Sequence, residues 1–369
     1  MSTLAYSEAL GRVIRQDPNT ELGESTRVAL EAAVRAGDAA EAKRWLDYFI
    51  AEIDAVWYIF GVWDWYMARY YIERKGEGAW AELLDASIAP WVGTTAGLAG
   101  QPRATVEVNG PDANLLVDDL PWPVVLTQGD ERFDLSLDTV ANQQQRWSAR
   151  RAEIDAAIDE HRQEDFDRLL EEHVAEVKLI HDIVCDWAWG LLTVIGREWG
   201  EENLGEVQRQ TLEPWVTVRY EALKEMDATQ IMQITVEGMR GHFTGPGRTG
   251  SVDVTEEADR YVLSFDACGT GGRMRRGDPE MGSGSRYDAP YEFMTVDGAY
   301  DWSWNQEGVC AYCTHCSVVN QVLPIENIGR PMRLTEYPQD PDDPCRWIIY
   351  KDGREFPDLA YTAVGKSPR

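Results

Sequence analysis

The chain has 369 residues, 44% of them hydrophobic, which is room for two domains of ordinary size or for one repeated fold plus an extension. Its 35 Lys and Arg against 64 Asp and Glu leave a formal charge of −29, which repels phosphate backbones and anionic membrane surfaces and excludes nucleic acid as an expected partner. The opening Met1-Ser-Thr-Leu-Ala lacks the basic and apolar regions of a secretory signal, and the densest apolar stretch, Ala55 to Trp63, is too short to cross a bilayer. The expectation is a cytoplasmic protein with no membrane partner.

In chain order, apolar residues recur at helical spacing through Leu30 to Ile72, predicting a first helical block. Pro111, Pro121 and Pro123 mark 109–130 as loop, and Arg132 to Asp138 follows as a strand. The same order then returns. Helical spacing runs from Ile154 to Ile195, a glycine-rich loop covers 241–250, and Tyr261, Leu263 and Phe265 alternate on one face of a strand.

Shifting the sequence by 124 places aligns Arg27 to Val92 with Arg151 to Val216 without a gap. The match includes Trp63/Trp187, Trp65/Trp189, Gly76/Gly200 and Pro90-Trp91-Val92/Pro214-Trp215-Val216. The predicted fold class is therefore α+β: a tandem-duplicated unit of helical block plus small antiparallel sheet. Residues 1–148 form a degenerate scaffold repeat, and 149–369 a second repeat with a cysteine-rich C-terminal extension. Such a chain is a monomeric pseudo-dimer or a homodimer. The tryptophans clustered at 57, 63, 65 and at 187, 189, 199 read as core.

Positions where one copy is apolar and the other reactive separate scaffold from candidate chemistry. Against His173, His181, Asp182, Cys185 and Asp186 the first copy has Phe49, Trp57, Tyr58, Gly61 and Val62; against Cys268 it has Val140. On a helix His181 and Cys185 share a face, as do Asp182 and Asp186, which permits a ligand pair or an acid–base pair; a buried His with a core Cys is the plain alternative. Cys268-Gly-Thr-Gly-Gly-Arg-Met-Arg-Arg276 joins a thiol, a glycine turn and three arginines, Arg273, Arg275 and Arg276, which suit a substrate carboxylate.

The sharpest local signal is Cys310-Ala-Tyr-Cys313-Thr-His-Cys316, whose C-x2-C-x2-C spacing lets successive thiolates reach one ion or cluster. Cys345, Cys268 or His315 can complete the set. If 309–321 is helical, the three cysteines lie near one face and His315 points elsewhere, which favours a remote cysteine over His315, with Cys345 taken as the fourth metal ligand, and frees His315 for proton transfer. Zinc fits these ligands, with an iron–sulfur cluster as the alternative.

From residue 166 onward the layout resembles the L-2-amino-thiazoline-4-carboxylic acid hydrolase-like family. The residues that carry this are Asp-Arg-Tyr-Val-Leu-Ser-Phe-Asp-Ala-Cys268, then Val-Cys310-Ala-Tyr-Cys313, then Asp342-Asp-Pro-Cys345-Arg-Trp347. The resemblance implies hydrolytic or lyase-type C–N or C–S cleavage of a small carboxylated heterocycle or amino-acid-like substrate. Cys268 and Cys345 match that family's cysteine positions; the extra cysteines around His315 and the Gly/Arg/Asp-rich 271–298 depart from it. The expected protein is a small-molecule hydrolase or lyase in which Cys268 reacts or contacts substrate, His315 and His181 move protons, and the arginines orient a carboxylate. A non-enzymatic metal- or ligand-binding sensor is the competing class.

Overall fold

The computed structural model describes residues 3–8, 11–95, 126–128, 131–133, 140–246, 248–279, 282–351 and 356–368. A hairpin of β1 (Leu4–Ser7) and β2 (Arg12–Arg15) leads into α1 (Thr26–Arg35), α2 (Ala39–Lys75), α3 (Trp80–Ser87) and α4 (Val92–Thr95). A short pair, β3 (Leu126–Gln128) and β4 (Glu131–Phe133), precedes a second run of helices: α5 (Val140–Asp159), α6 (Gln163–Trp199), α7 (Leu204–Val216), α8 (Tyr220–Lys224) and α9 (Ala228–Phe243). The rest of the chain interleaves small strands and short helices. These are β5 (Thr244–Gly245), β6 (Arg248–Thr249), β7 (Asp253–Glu256), β8 (Arg260–Phe265), α10 (Gly271–Arg276), β9 (Thr295–Val296), β10 (Val309–Cys310), α11 (Thr314–Ser317), α12 (Leu323–Ile328), β11 (Leu334–Glu336), β12 (Cys345–Tyr350) and α13 (Leu359–Thr362). The fold is mixed helix with small antiparallel sheets, the α+β class that the two periodicities predict.

α2 and α6 are each 37 residues long, start 124 positions apart and pack against one another. Asp38 caps the first by accepting from the Glu41 N–H, and a glycine in the left-handed region, Gly76 or Gly200, follows each. Each buries a broad apolar face and keeps charged residues such as Arg44, Asp47, Arg168 and Glu172 exposed on the opposite side. The most apolar 18-residue window of α6, long enough by composition to cross a membrane, is 89% buried inside the protein. One hydrophobic core draws on both halves, with Trp63, Trp91, Trp187 and Trp189 fully buried in it.

The largest sheet is antiparallel in the order β11-β12-β8-β7, and α9 lies against β12. β8 alternates as predicted, burying Tyr261, Leu263 and Phe265, and its register sets Phe265 opposite Cys345.

Three local expectations change. The segment 241–250 is not a loop throughout: α9 continues to Phe243, and β5 and β6 form a hairpin after it. Gly241 serves helix contact instead of a turn, because a Cβ there would stand 2.6 Å from the Glu52 carbonyl oxygen of α2. Helix over 309–321 begins only at Thr314, since Val309 and Cys310 pair with β9 and Tyr312 and Cys313 turn the chain. Within the loop predicted over 109–130, Leu126–Gln128 is strand β3, paired with β4, which includes Arg132 and Phe133 of the strand predicted over 132–138; 109–125, 129–130 and 134–139 lie outside the described residues. Val140, set opposite Cys268 in the alignment, is the first residue of α5.

Candidate active site

Three segments distant in sequence meet at one cavity. β8 points its last side chain, Phe265, inward and the following turn presents Cys268; β12 begins at Cys345, across from Phe265; Cys313 is the N-cap residue of α11, whose first turn carries His315 and Cys316. Cys268, Cys313, Cys316 and Cys345 all border this cavity, which is about 60 Å³ in volume and opens to solvent. Phe60 of α2 forms part of the wall, stacked on Tyr312 and edge-on to His242 and His315.

All six cysteines are free thiols. Burial pushes Cys268, Cys316 and Cys345 up, and neighbouring thiols push further: Cys313 and Cys268 act on Cys316, and all three act on Cys345. Cys313 is raised first by its hydrogen bond with Cys310, then by burial. Cys310, part of the ligand set expected from spacing, is fully buried in β10 behind Cys313 and is not on the cavity wall. Its thiol stays in hydrogen-bond contact with Cys313, and of the two only Cys313 borders the cavity.

The glycine turn is needed by the sulfurs. A Cβ on Gly271 would stand 2.5 Å from Cys313 Sγ, so no side chain fits there without moving the thiol. The Gly272 N–H donates to Cys268 Sγ at 2.9 Å.

The three arginines divide. Arg273 turns inward to Asp182 and Asp278, and Arg276 is held by Asp266 and by the Pro341 and Asp343 carbonyls. Only Arg275 reaches the cavity, while donating to Tyr287 and to the Pro338 and Gln339 carbonyls. Three of its five N–H groups are used in this way, which leaves donors for an anion.

A buried polar chain ends at the same cavity. On α6, Lys178, His181 and Asp182 are spaced i, i+3, i+4 and meet: Lys178 Nζ and His181 Nδ1 each lie within hydrogen-bond distance of Asp182 Oδ1, at 2.5 and 2.8 Å, and of one another, at 2.8 Å. His181 Nε2 is 2.7 Å from Nδ1 of His242, which sits in the last turn of α9 on the cavity wall. Burial raises Asp182, but Arg273 and Lys178 outweigh it and hold the carboxyl well below its usual range. Burial, then Arg273, lowers Lys178 to about 8; burial, then Lys178, lowers His181 to about 3; and burial, then His181, holds His242 well below the usual imidazole range.

With both rings neutral, two proton arrangements satisfy the chain. If His181 Nδ1 donates to Asp182, its Nε2 accepts from His242 Nδ1 and the other nitrogen of His242 carries a lone pair. If Lys178 donates to His181 Nδ1, every donor reverses and His242 Nε2 carries a proton. The arrangement can therefore remove or supply a proton at His242 without placing a charge on either ring.

His315 is also on the wall. Its Nδ1 donates to the Tyr312 carbonyl at 2.6 Å, leaving Nε2 facing Cys316 Sγ at 3.5 Å, and burial lowers it to about 4. The remaining ionisable positions of α6 go elsewhere. Asp186 pairs with the buried Arg286 and accepts from Thr95, Cys185 Sγ stands 3.7 Å from His181 Nε2, and His173 packs edge-on to Trp147 as a core histidine. Sequence reasoning passed over Lys178 and His242. Lys178 carried a usable signal, a lysine between Val177 and Leu179 at helical spacing from His181 and Asp182; His242, at a helix end mistaken for loop, carried none.

No protein family, curated protein or solved structure matches the chain.

Proposed function

We propose that the chain is an enzyme that cleaves a C–N or C–S bond of a small carboxylated substrate, by hydrolysis or elimination, in the cavity bordered by Cys268, Cys313, Cys316 and Cys345. The observation that carries this reading is the Asp182–His181–His242 chain ending on the wall of a thiol-lined cavity. For hydrolysis of a cyclic C=N or C–S bond, His242 Nε2 takes a proton from water as the water oxygen bonds to the ring carbon. That proton passes to the ring nitrogen as the C=N electron pair moves onto it; the new hydroxyl then gives its proton through His242 to the departing sulfur or nitrogen as the C–S or C–N bond breaks and C=O forms, so one water is consumed and His242 ends neutral. Arg275 presents its spare N–H groups to the carboxylate. The resemblance of residues 166 onward to the L-2-amino-thiazoline-4-carboxylic acid hydrolase-like family supports the substrate class, and the departures between 271 and 298 leave room for a different ring.

We infer further that the chain is a tandem duplication in which 1–148 is scaffold. The equal lengths of α2 and α6, their 124-residue offset and their glycine ends support this. The same scaffold half reaches the site through Phe60.

The test is turnover of 2-aminothiazoline-4-carboxylate and related cyclic amidine and thioether carboxylates, read as thiol or amine release. Turnover of at least one member is expected, with His242→Gln lowering kcat about 100-fold or more while the far-ultraviolet spectrum is unchanged. A folded His242→Gln as active as the parent chain would remove the relay from the reaction.

A further inference from the structure

We propose that Cys268, Cys313, Cys316 and Cys345 are the four protein ligands of an iron–sulfur cluster seated in the cavity, with Cys310 outside the ligand set. This deepens the reading of the cavity as a reaction site and rests on it for function, though not for the binding itself.

Four observations carry the assignment. The four thiols come from the turn after β8, the start of α11 and the start of β12, and the only feature they share is the cavity they border. A cysteine quartet from three segments is the donor set that both zinc and iron–sulfur clusters use, so the space between the sulfurs decides between them. Four thiolates around one zinc ion each stand about 2.3 Å from it and leave no void at their centre. Here the four thiols border a shared cavity of about 60 Å³, and among the described residues no three His, Cys, Asp or Glu side chains gather as a single ion requires. Four thiols on the wall of one cavity suit a body larger than an ion.

The surroundings suit an anionic cluster. The Gly272 N–H already points at Cys268 Sγ, and backbone donors to ligand sulfur are among the features that set a cluster's potential. Arg275 brings one guanidinium to the wall, while Phe60, Phe265 and Trp347 make much of the remainder apolar. Gly271 passes so close to Cys313 Sγ that only glycine leaves the thiol free to face the cavity.

Cys310 separates this assignment from one based on spacing alone. It belongs to the same C-x2-C-x2-C run as Cys313 and Cys316 and hydrogen-bonds to Cys313, yet it is fully buried in β10 and does not line the cavity.

The experiment is anaerobic reconstitution of the full chain with ferric iron, sulfide and dithiothreitol, followed by desalting. Visible absorption, iron and acid-labile sulfide are then measured. The expected result is a broad visible band with iron and sulfide in equal amounts, about four of each per chain for a cubane cluster. Cys268→Ala, Cys313→Ala, Cys316→Ala and Cys345→Ala should each lose most of the band, and Cys310→Ser should keep it. Because an alanine variant can lose the fold, cysteine alkylation of the parent chain in partial urea, with and without reconstitution, gives a second readout. Those four thiols should gain protection while Cys310 and Cys185 change together and less. Uptake of one zinc per chain with no iron or sulfide would overturn the proposal, as would a band lost in Cys310→Ser and retained in Cys268→Ala. Turnover in protein shown to be free of iron and sulfide would remove the cluster and leave the enzyme reading standing. A loaded cluster without turnover of any substrate would keep the cluster and sink the enzyme reading.

Discussion

α2 and α6 have the same length and lie side by side in one core, yet they fill that core differently. α2 buries Phe49, Trp57 and Val62 where α6 buries His173, His181 and Asp186. A buried apolar side chain needs only space, whereas a buried charge needs a partner within hydrogen-bond reach, because desolvation otherwise costs several kcal/mol. The partners of α6 come largely from outside the helical blocks: Arg273 of α10 and Arg286 for the two aspartates, and His242 at the end of α9 for His181. α2 has one partner of this kind, Arg240, which pairs with Glu52 at 2.8 Å. Polar chemistry on α6 is thus tied to the chain beyond residue 240, and the segments that supply counter-charges are those that build the thiol cavity.

The strongest way to break this comparison is to give α6 a residue of α2. Asp186→Val installs the side chain that α2 has at Val62 and leaves Arg286, 2% exposed, without a carboxylate. The expected loss is about 3–5 kcal/mol in denaturant unfolding. Adding Arg286→Met to the same chain should restore most of it, since replacing both members of a buried pair is far less costly than orphaning one. If the single variant loses less than about 1 kcal/mol, Arg286 does not depend on Asp186 and the argument from partners fails.

What the residues disclosed in advance follows the same division. The helical and alternating periodicities gave the α+β class, because apolar spacing reports which face is buried whatever covers it. The reactive positions on α6 stood out against their α2 counterparts for the same reason. Which of them work together was not visible: His181 and Asp182 join Lys178 and His242, while Asp186 goes to Arg286 and His173 to Trp147, and these partners are set by tertiary contacts. The thiols were legible as a cluster but not as a geometry. Spacing put Cys310 with Cys313 and Cys316 and set Cys268 apart as a nucleophile, whereas the pairing of β9 with β10 buries Cys310 and the β8–β12 register brings Cys268 and Cys345 to the cavity. Three arginines that read as a substrate clamp are mostly occupied in holding Asp182, Asp278 and the 338–343 loop.

A smaller effect sharpens the account of the relay. Lys178 is fully buried, and its ammonium is lowered to about 8, from an unfolded value near 10.4. Below pH 8 the lysine is charged in both states and its burial penalty is constant. Between about 8 and 10.4 the unfolded chain binds the proton that the folded chain has released, so stability rises with pH through that window. Measured against Lys178→Met, which has no proton to lose there, the parent chain should gain on the order of 1–3 kcal/mol across it. A difference independent of pH would mean that Asp182 keeps Lys178 charged, and a charged ammonium, which can only donate, is satisfied only by the arrangement in which Lys178 donates to His181 Nδ1.

The smallest expected effect tests the comparison from the other side, through the one buried acid of α2 that its neighbours leave alone. Asp64 is fully buried, and neither carboxylate oxygen has a hydrogen-bond partner among the described residues. α6 has Ala188 at the aligned position. Burial holds the Asp64 carboxyl well above its usual range, so the folded chain keeps a proton that the unfolded chain gives up once pH passes about 4. With more protons on the folded state, stability falls as pH rises above that point, the opposite slope to that of Lys178. Asp64→Ala removes the orphaned carboxyl and leaves a small cavity. These terms oppose each other, about 1–3 kcal/mol for an unsatisfied buried group against the lost packing of a few atoms, and the net should be a gain of about 1 kcal/mol at neutral pH. The gain should shrink toward pH 4, where the unfolded chain also holds the proton. A loss of stability at neutral pH, or a gain that grows on acidification, would mean that Asp64 has a role in α2 that its surroundings do not reveal, and that the first half carries more than scaffold.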